Sequence, residues 1–235
     1  MCRVHGSTLI SVRRPFSFIE SETSMFCTDI DLLRWEPHIA SEAAFSTQTL
    51  LSTTGSVSGT TLTIAAGSLA ASRIRAGFIA CLSGTINGSF PIVSVDTSTA
   101  CTLSVVYDGL DEAPPLPVSP GAATDLAVAI RSFFPQRKII SDLLSRMAGV
   151  EPGGDETILN PEEFRKPCVL GTLHMIYSAM STASFENRAD LLIRAELYER
   201  LYRKSLRGVS AVIDTNGDGI ANRRQPLRVI HFARV

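Results

Sequence analysis

The densest cluster of chemistry-bearing side chains is Asp214-Thr215-Asn216-Gly217-Asp218-Gly219. Oxygens at the first, third and fifth positions, followed by a glycine that makes the turn, are the opening half of a calcium loop. The match then stops. Gln225 stands where a bidentate Glu would close the shell, and Pro226 follows where a second helix would start. Asn-Gly and Asp-Gly are equally the residues of a tight turn between two strands. The loop reads first as a turn, with calcium held by Asp214, Asn216 and Asp218 as the alternative.

The other reactive residue types are scattered. Five cysteines (Cys2, Cys27, Cys81, Cys101, Cys168) form no CxxC pair and stand at no metal spacing with a histidine, so reduced thiols are expected. Cys81 and Cys101 both fall in strand-like text and are expected to pack as small hydrophobes. The four histidines lie in four different contexts, and His174, on an apolar helix, reads as a hydrogen-bonded core residue. The sequence has no G-x-S-x-G elbow, no phosphate-cradling glycine loop and no H-E-x-x-H. No enzyme and no required cofactor are therefore expected.

Charge is uneven. Residues 188–235 carry ten basic and five acidic side chains, leaving twelve basic against eighteen acidic in the rest. That end can face a polyanion or an acidic neighbour. Three acid-first i,i+4 pairs, Asp190/Arg194, Glu196/Arg200 and Glu199/Arg203, are expected to occupy most of the arginines of its helix. Lys204 and Arg207 remain as candidate DNA-channel or interface residues, and both also suit a helix C-terminus without any ligand.

The elements that must hold these residues divide by periodicity. Residues 46–124 carry only six charges and alternate apolar with Ser, Thr and Gly, the pattern of short strands. Five strands are expected at 47–51, 60–64, 77–82, 90–95 and 102–106, separated at Gly55 and Gly59, at Asn87-Gly88 and at 96–99. They suggest a small barrel or sandwich resembling an SH3-like module, closed by the proline-rich run 113–120 as a stiff linker. The flanks read as helix. Thr28-x-x-Asp31 opens one that Glu36-Pro37 ends. Ile139, Ile140, Leu143, Leu144 and Met147 stripe another that stops at Gly149. Asn160-Pro161-Glu162-Glu163 starts a third, whose stretch 168–180 is apolar nearly all round and so belongs at the centre. A last helix, 188–207, presents Leu191, Ala195, Tyr198 and Tyr202 on one face. Strands are expected at 209–213 and 227–235.

The fold class expected is α+β: a helical bundle with an inserted small β-barrel or sandwich module and a C-terminal β-hairpin. Its divisions are an extended arm at 1–24, helices at 25–45 and 131–208, the β module at 46–124, and a hairpin with a docking strand at 209–235.

This order of elements resembles the head-to-tail adaptor (head-completion, connector) proteins of tailed bacteriophages and of phage-like gene transfer agents. Phe26-Cys27-Thr28-Asp29-Ile30-Asp31-Leu32-Leu33 is similar to the aromatic-x-Thr-x-x-Asp-Leu opening of such proteins. The helices at 135–149 and 161–181 and Leu197-Tyr198-Glu199-Arg200-Leu201-Tyr202 continue the likeness. The stretch 76–105 is similar to small β modules of phage neck and tail proteins. The β module is large for a simple helical adaptor, and the arm before Met25 is extra.

The resemblance implies a structural virion protein at the head–tail junction, made in the bacterial host cytoplasm. It implies a homo-oligomeric ring, commonly twelvefold, that binds the portal protein on one side and the downstream neck or tail protein on the other. Genomic DNA would pass through non-specifically, with no membrane involved. Portal docking would fall to the C-terminal strand: Leu227, Arg228, Val229, Ile230, Phe232 and Val235. A terminal strand offers a free hydrogen-bonding edge to a partner's sheet. The alternative is a surface or carbohydrate-binding β module on a helical mount with a weak calcium loop.

Overall fold

The computed structural model describes residues 25–111, 115–183 and 187–227. The chain is mixed helix and strand, with a closed antiparallel β-barrel set against a group of helices and a small second sheet. The expected arm at 1–24 lies outside the described residues.

Helix α1 (Asp29–Trp35) begins as its sequence requires. The Thr28 hydroxyl accepts from the Asp31 N–H while the Asp31 carboxylate accepts from the Thr28 N–H, a reciprocal capping box. Pro37 follows its end, and a single turn, α2 (Ile39–Glu42), leads to the barrel.

The barrel has six strands, one more than expected: β1 (Thr49–Ser58), β2 (Thr61–Ile64), β3 (Ile79–Ser83), β4 (Gly88–Val95), β5 (Ala100–Leu103) and β6 (Ala123–Arg131). Their order around the barrel is β1-β2-β5-β4-β3-β6, and every neighbouring pair is antiparallel. Strand β6 is what closes it, pairing with β1 on one side and β3 on the other. The barrel therefore reaches past the expected boundary at 124. The described part of the proline-rich run, 115–120, does not leave the module either. Its Val118 accepts from the Val105 N–H and donates to Ser104 Oγ, Ser119 Oγ donates to the Gly59 carbonyl, and the Tyr107 hydroxyl donates to Leu116. These bonds lay the run along the barrel wall and deliver the chain to β6.

Gly55 is likewise not a turn residue. It sits inside β1, opposite Ile64 and Leu126, where a Cβ would lie 2.6 Å from the Thr63 carbonyl oxygen. A glycine at that point permits close backbone approach beside a register shift. The turn is made by Gly59, whose φ of +63° is the left-handed conformation that suits glycine.

Alternation divides β3 between two cores. Ala80 and Leu82 point into the barrel with Val57, Leu62, Ile92, Leu103 and Leu126. Ile79 and Cys81 point out, into the core of the helices. Cys81 and Cys101 thus face different cores, both buried as the sequence suggested.

Helix α4 (Glu162–Ala183) is central, buried at Phe164, along 167–173 and at Ile176 and Tyr177, with α3 (Phe134–Met147) and α5 (Arg188–Ser205) packed on it and α5 running back antiparallel. Gly171 allows this. A Cβ there would meet Ile140 of α3 at 3.0 Å and the Tyr202 ring of α5 at 3.2 Å. The stripe expected on α3 is split: Ile140 and Leu144 are buried, while Ile139 and Leu143 face outward. Gly149, at φ +76°, ends α3 as anticipated.

The second sheet has the order β7-β8-β9, from β7 (Thr157–Ile158), β8 (Ser210–Asp214) and β9 (Arg223–Pro226). β8 and β9 form a hairpin that ends at Pro226, and of the strand expected at 227–235 only Leu227 falls within the described residues. Asn160, expected to cap α4, instead spans to β8: its Nδ2 donates to the Ser210 carbonyl and its Oδ1 accepts from the Val212 N–H. Residues 228–235 lie outside the described residues.

Candidate functional site

The acidic loop between β8 and β9 is organised by its own backbone. Asp214 is buried, and its carboxylate accepts from the amides of Asn216, Gly217 and Gly219 at 2.7–3.0 Å. Desolvation pushes this carboxyl upward, but the amides of Gly219, Asn216, Gly217 and Asp218 pull it below the usual carboxylate range. Asp218 accepts from Asn216 Nδ2 and the Ile220 N–H, and Asn222 Oδ1 accepts from the N–H and hydroxyl of Thr215. Both Asp214 oxygens already hold amide donors, so a cation would have to compete with the turn. Among the described residues no group of three or more His, Cys, Asp or Glu side chains is placed to hold a metal.

The two basic candidates are exposed at the end of α5: Lys204 in its last turn and Arg207 in the 3-10 turn that follows. Of the expected i,i+4 pairs, Arg203 bonds Glu199. Arg194 bonds Glu42 of α2 at 3.2 Å and the Tyr177 hydroxyl at 3.1 Å. Of the docking candidates, Leu227 is buried, its N–H donating to the Val209 carbonyl. Arg228, Val229, Ile230, Phe232 and Val235 lie outside the described residues. The strand that precedes them, β9, is an edge of the second sheet.

Sequence reasoning missed the groove where α2 meets the α4–α5 hairpin. It has a volume of about 590 Å³ and is lined by Phe45, Met180, Leu191, Glu42, Asp190 and Arg194, among others. Arg194, which lines it, belongs to a polar and aromatic stack buried behind it. Tyr177 and Tyr198 lie face to face with centroids 5.6 Å apart, and the Arg194 guanidinium sits 5.5 Å from the Tyr177 centroid. The Tyr198 hydroxyl donates to Glu36 at the end of α1. Burial pushes the Tyr177 phenol up to about 12 and raises Tyr198 further, so both keep their protons. The aromatic pair could be read from the tyrosines on two helices, whereas the contacts with Glu36 and Glu42 depend on chain-distant packing. His174 Nδ1 donates to the Ala195 carbonyl, 3.0 Å away, the hydrogen-bonded helix contact anticipated for it.

Two helices leave apolar side chains in water. On α3 these are Ile139, 54% exposed, and Leu143 one turn on. On α5 they are Leu192, Ile193, 63% exposed, and Leu197. Each row follows helical spacing on the side away from the residues its helix buries. Trp35 of α1 is also partly exposed, with Lys166 6.0 Å from its ring centroid.

No protein-family model, no curated protein and no solved structure matches this chain. Among the described residues no helix is long and apolar enough to cross a membrane.

Proposed function

We propose that the protein is a structural head-to-tail adaptor of a phage-like particle, a subunit that assembles with copies of itself into a ring between portal and tail. The observation that carries this reading is the pair of unlike apolar rows, Ile139/Leu143 on α3 and Leu192/Ile193/Leu197 on α5. Head-to-tail contact between two different faces of one subunit generates a ring when the rotation closes. Scattered exposed leucines are ordinary, but rows at helical spacing on two helices suit packing against a neighbour.

In this reading the β-barrel is a rigid appendage of the ring. The C-terminal residues beyond Leu227, which is itself buried in the subunit, dock on the portal, and Lys204 and Arg207 face the DNA passage or the neighbouring subunit. The protein performs no reaction and needs no cofactor, and its place is the virion.

Native mass spectrometry of the purified chain tests the proposal. A closed oligomer near twelve copies of 25.3 kDa is expected, reduced to monomer by Ile193→Asp or Ile139→Asp with the circular dichroism spectrum unchanged. A wild-type protein that stays monomeric at high concentration, or a ring indifferent to both substitutions, would sink it.

A further inference from the structure

Cys27 and Cys168 are 141 residues apart in sequence, yet their sulfurs are 2.7 Å apart in the core. The bonded distance is about 2.05 Å, so a small shift joins them. Both residues are buried: Cys27 on the segment leading into α1, Cys168 on the central helix. The segment is held in register around them. The Phe26 N–H donates to Ser141 Oγ, which lies 3.4 Å from the Cys168 sulfur, and Arg137 Nη1 donates to the Cys27 carbonyl at 2.8 Å.

A small cavity reaches Cys27. It has a volume of about 80 Å³ and is lined by Met25, Cys27, Thr28, Asp29, Phe78 and Arg137, among others. Liquid water occupies roughly 30 Å³ per molecule, so the space admits a molecule of peroxide size. Cys27 thus meets the cavity and Cys168 stands behind it.

We propose that Cys27 and Cys168 are an oxidisable dithiol that hydrogen peroxide converts to a disulfide, stapling the entry segment to the central helix. The Cys27 sulfur, passing its proton to the Cys168 thiolate across their hydrogen bond, attacks one peroxide oxygen; the O–O bond breaks, an S–O bond forms, and the other oxygen leaves as hydroxide, which takes that proton from Cys168 to become water. Cys168 then attacks the sulfenic sulfur of Cys27, the S–O bond breaks, and the S–S bond forms. Two thiols and one peroxide give one disulfide and two waters, the sulfurs losing two electrons and the peroxide gaining them. The side-chain arrangement favours a proton shared within the pair. The hydrogen bond to Cys168, with burial, raises the Cys27 thiol. Burial also pushes Cys168 upward, but its bonds to Cys27 and Ser141 and the charge of Arg137 hold it below the usual thiol range.

The bond closes a loop around α1, the whole barrel and α3, so it constrains the unfolded chain strongly. It is independent of the ring reading, because it needs only the folded subunit.

The test uses the full chain, folded, treated with hydrogen peroxide and then denatured in an alkylating reagent before peptide mapping. The expected product is a linked peptide pair containing Cys27 and Cys168, lighter by two hydrogens, with Cys81 and Cys101 alkylated. The thermal midpoint should rise on the order of 10 °C and fall back after reduction with dithiothreitol. Cys168→Ala should lose both the linked peptide and the rise. Alkylation of both Cys27 and Cys168 after treatment would overturn the proposal. So would oxidation of Cys27 to a sulfinic acid with no link, or a link made through Cys2. The wild-type mapping decides the matter even if Cys168→Ala fails to fold.

Discussion

Replacing Asp29 by alanine should cost more stability than any surface change in the molecule. Asp29 is fully buried where the barrel, α1 and α3 meet. Its carboxylate bonds Arg137 Nε at 2.7 Å, accepts from Ser132 Oγ at 2.7 Å and accepts from the Phe133 N–H at 3.1 Å. Ser132 and Phe133 follow directly on β6, so the one carboxylate ties the strand that closes the barrel to both helices. Removing one member of a buried ion pair leaves the other charge alone and costs about 3–5 kcal/mol. Two orphaned neutral donors add to this, but less than additively, since they share one acceptor. A total near 4–5 kcal/mol corresponds to a fall of roughly 10–15 °C in thermal midpoint for a chain of this length. Far-UV circular dichroism and calorimetry measure it directly. The double variant Asp29→Ala/Arg137→Met should recover part of the loss, because it removes the orphaned guanidinium. A loss under about 1 kcal/mol, or a double variant no better than Asp29→Ala, would refute the claim that this pair joins barrel to helices.

The same residue carries a pH signature. Burial pushes the Asp29 carboxyl above its ordinary range more strongly than Arg137, Ser132 and Phe133 pull it down, so the part of its contribution that comes from holding a proton is present in acid and lost as pH rises through the raised value, while the bonds to Arg137, Ser132 and Phe133 remain with the ionised form. The advantage of wild type over Asp29→Asn, followed by thermal melts across pH, should therefore shrink with rising pH. Asp214 has the opposite sign: its carboxyl is lowered, so its contribution is present above the usual carboxylate range and lost as pH falls through the lowered value. Melts of wild type against Asp214→Asn should converge in acid. Asp218→Ala should leave the melt in chelator nearly unchanged, and a calcium-dependent rise abolished by that substitution would make the loop a metal site. Gly55→Ala should destabilise the barrel by about 1–3 kcal/mol, since its Cβ would meet the Thr63 carbonyl; an unchanged melt would show that β1 and β2 can move apart. Under the proposed adaptor role, deleting residues 229–235 should leave oligomer formation intact but abolish attachment to portal-bearing heads, and normal attachment would move docking to another surface.

How far the sequence revealed this fold depended on the range of the interaction involved. The capping box at Thr28 and Asp31, the stop at Gly149 and the apolar stretch of α4 are written within a few residues each, and all three appear where the pattern put them. The sixth strand was not legible in that way. Its text at 123–131 alternates, but a proline-rich run separates it from the other strands, and its partners are the first and third strands in sequence. Strand β9 is the sequence Arg-Arg-Gln-Pro, which has no strand propensity of its own. It pairs because β8 and the turn built on Asp214 fix its register, from Ser210 opposite Pro226 to Ile213 opposite Arg223.

The site residues follow the same rule with harsher consequences. Short spacing suggested that Arg194 would pair with Asp190, yet its guanidinium bonds Glu42 and stacks on Tyr177, both brought to it by packing across three helices. Asn160 was a sound helix cap by type, yet two backbone groups of β8 take its amide. In each case a local bond worth from a few tenths to about 1 kcal/mol loses to one that satisfies a buried group, the Tyr177 hydroxyl for Arg194 and the β8 backbone for Asn160. The same competition brought Cys27 against Cys168: the capping box and Arg137 fix the entry segment, and the sulfurs meet as a consequence. A polar or reactive group in this chain is thus best assigned from the buried partner it must satisfy, and only secondarily from its neighbours in sequence.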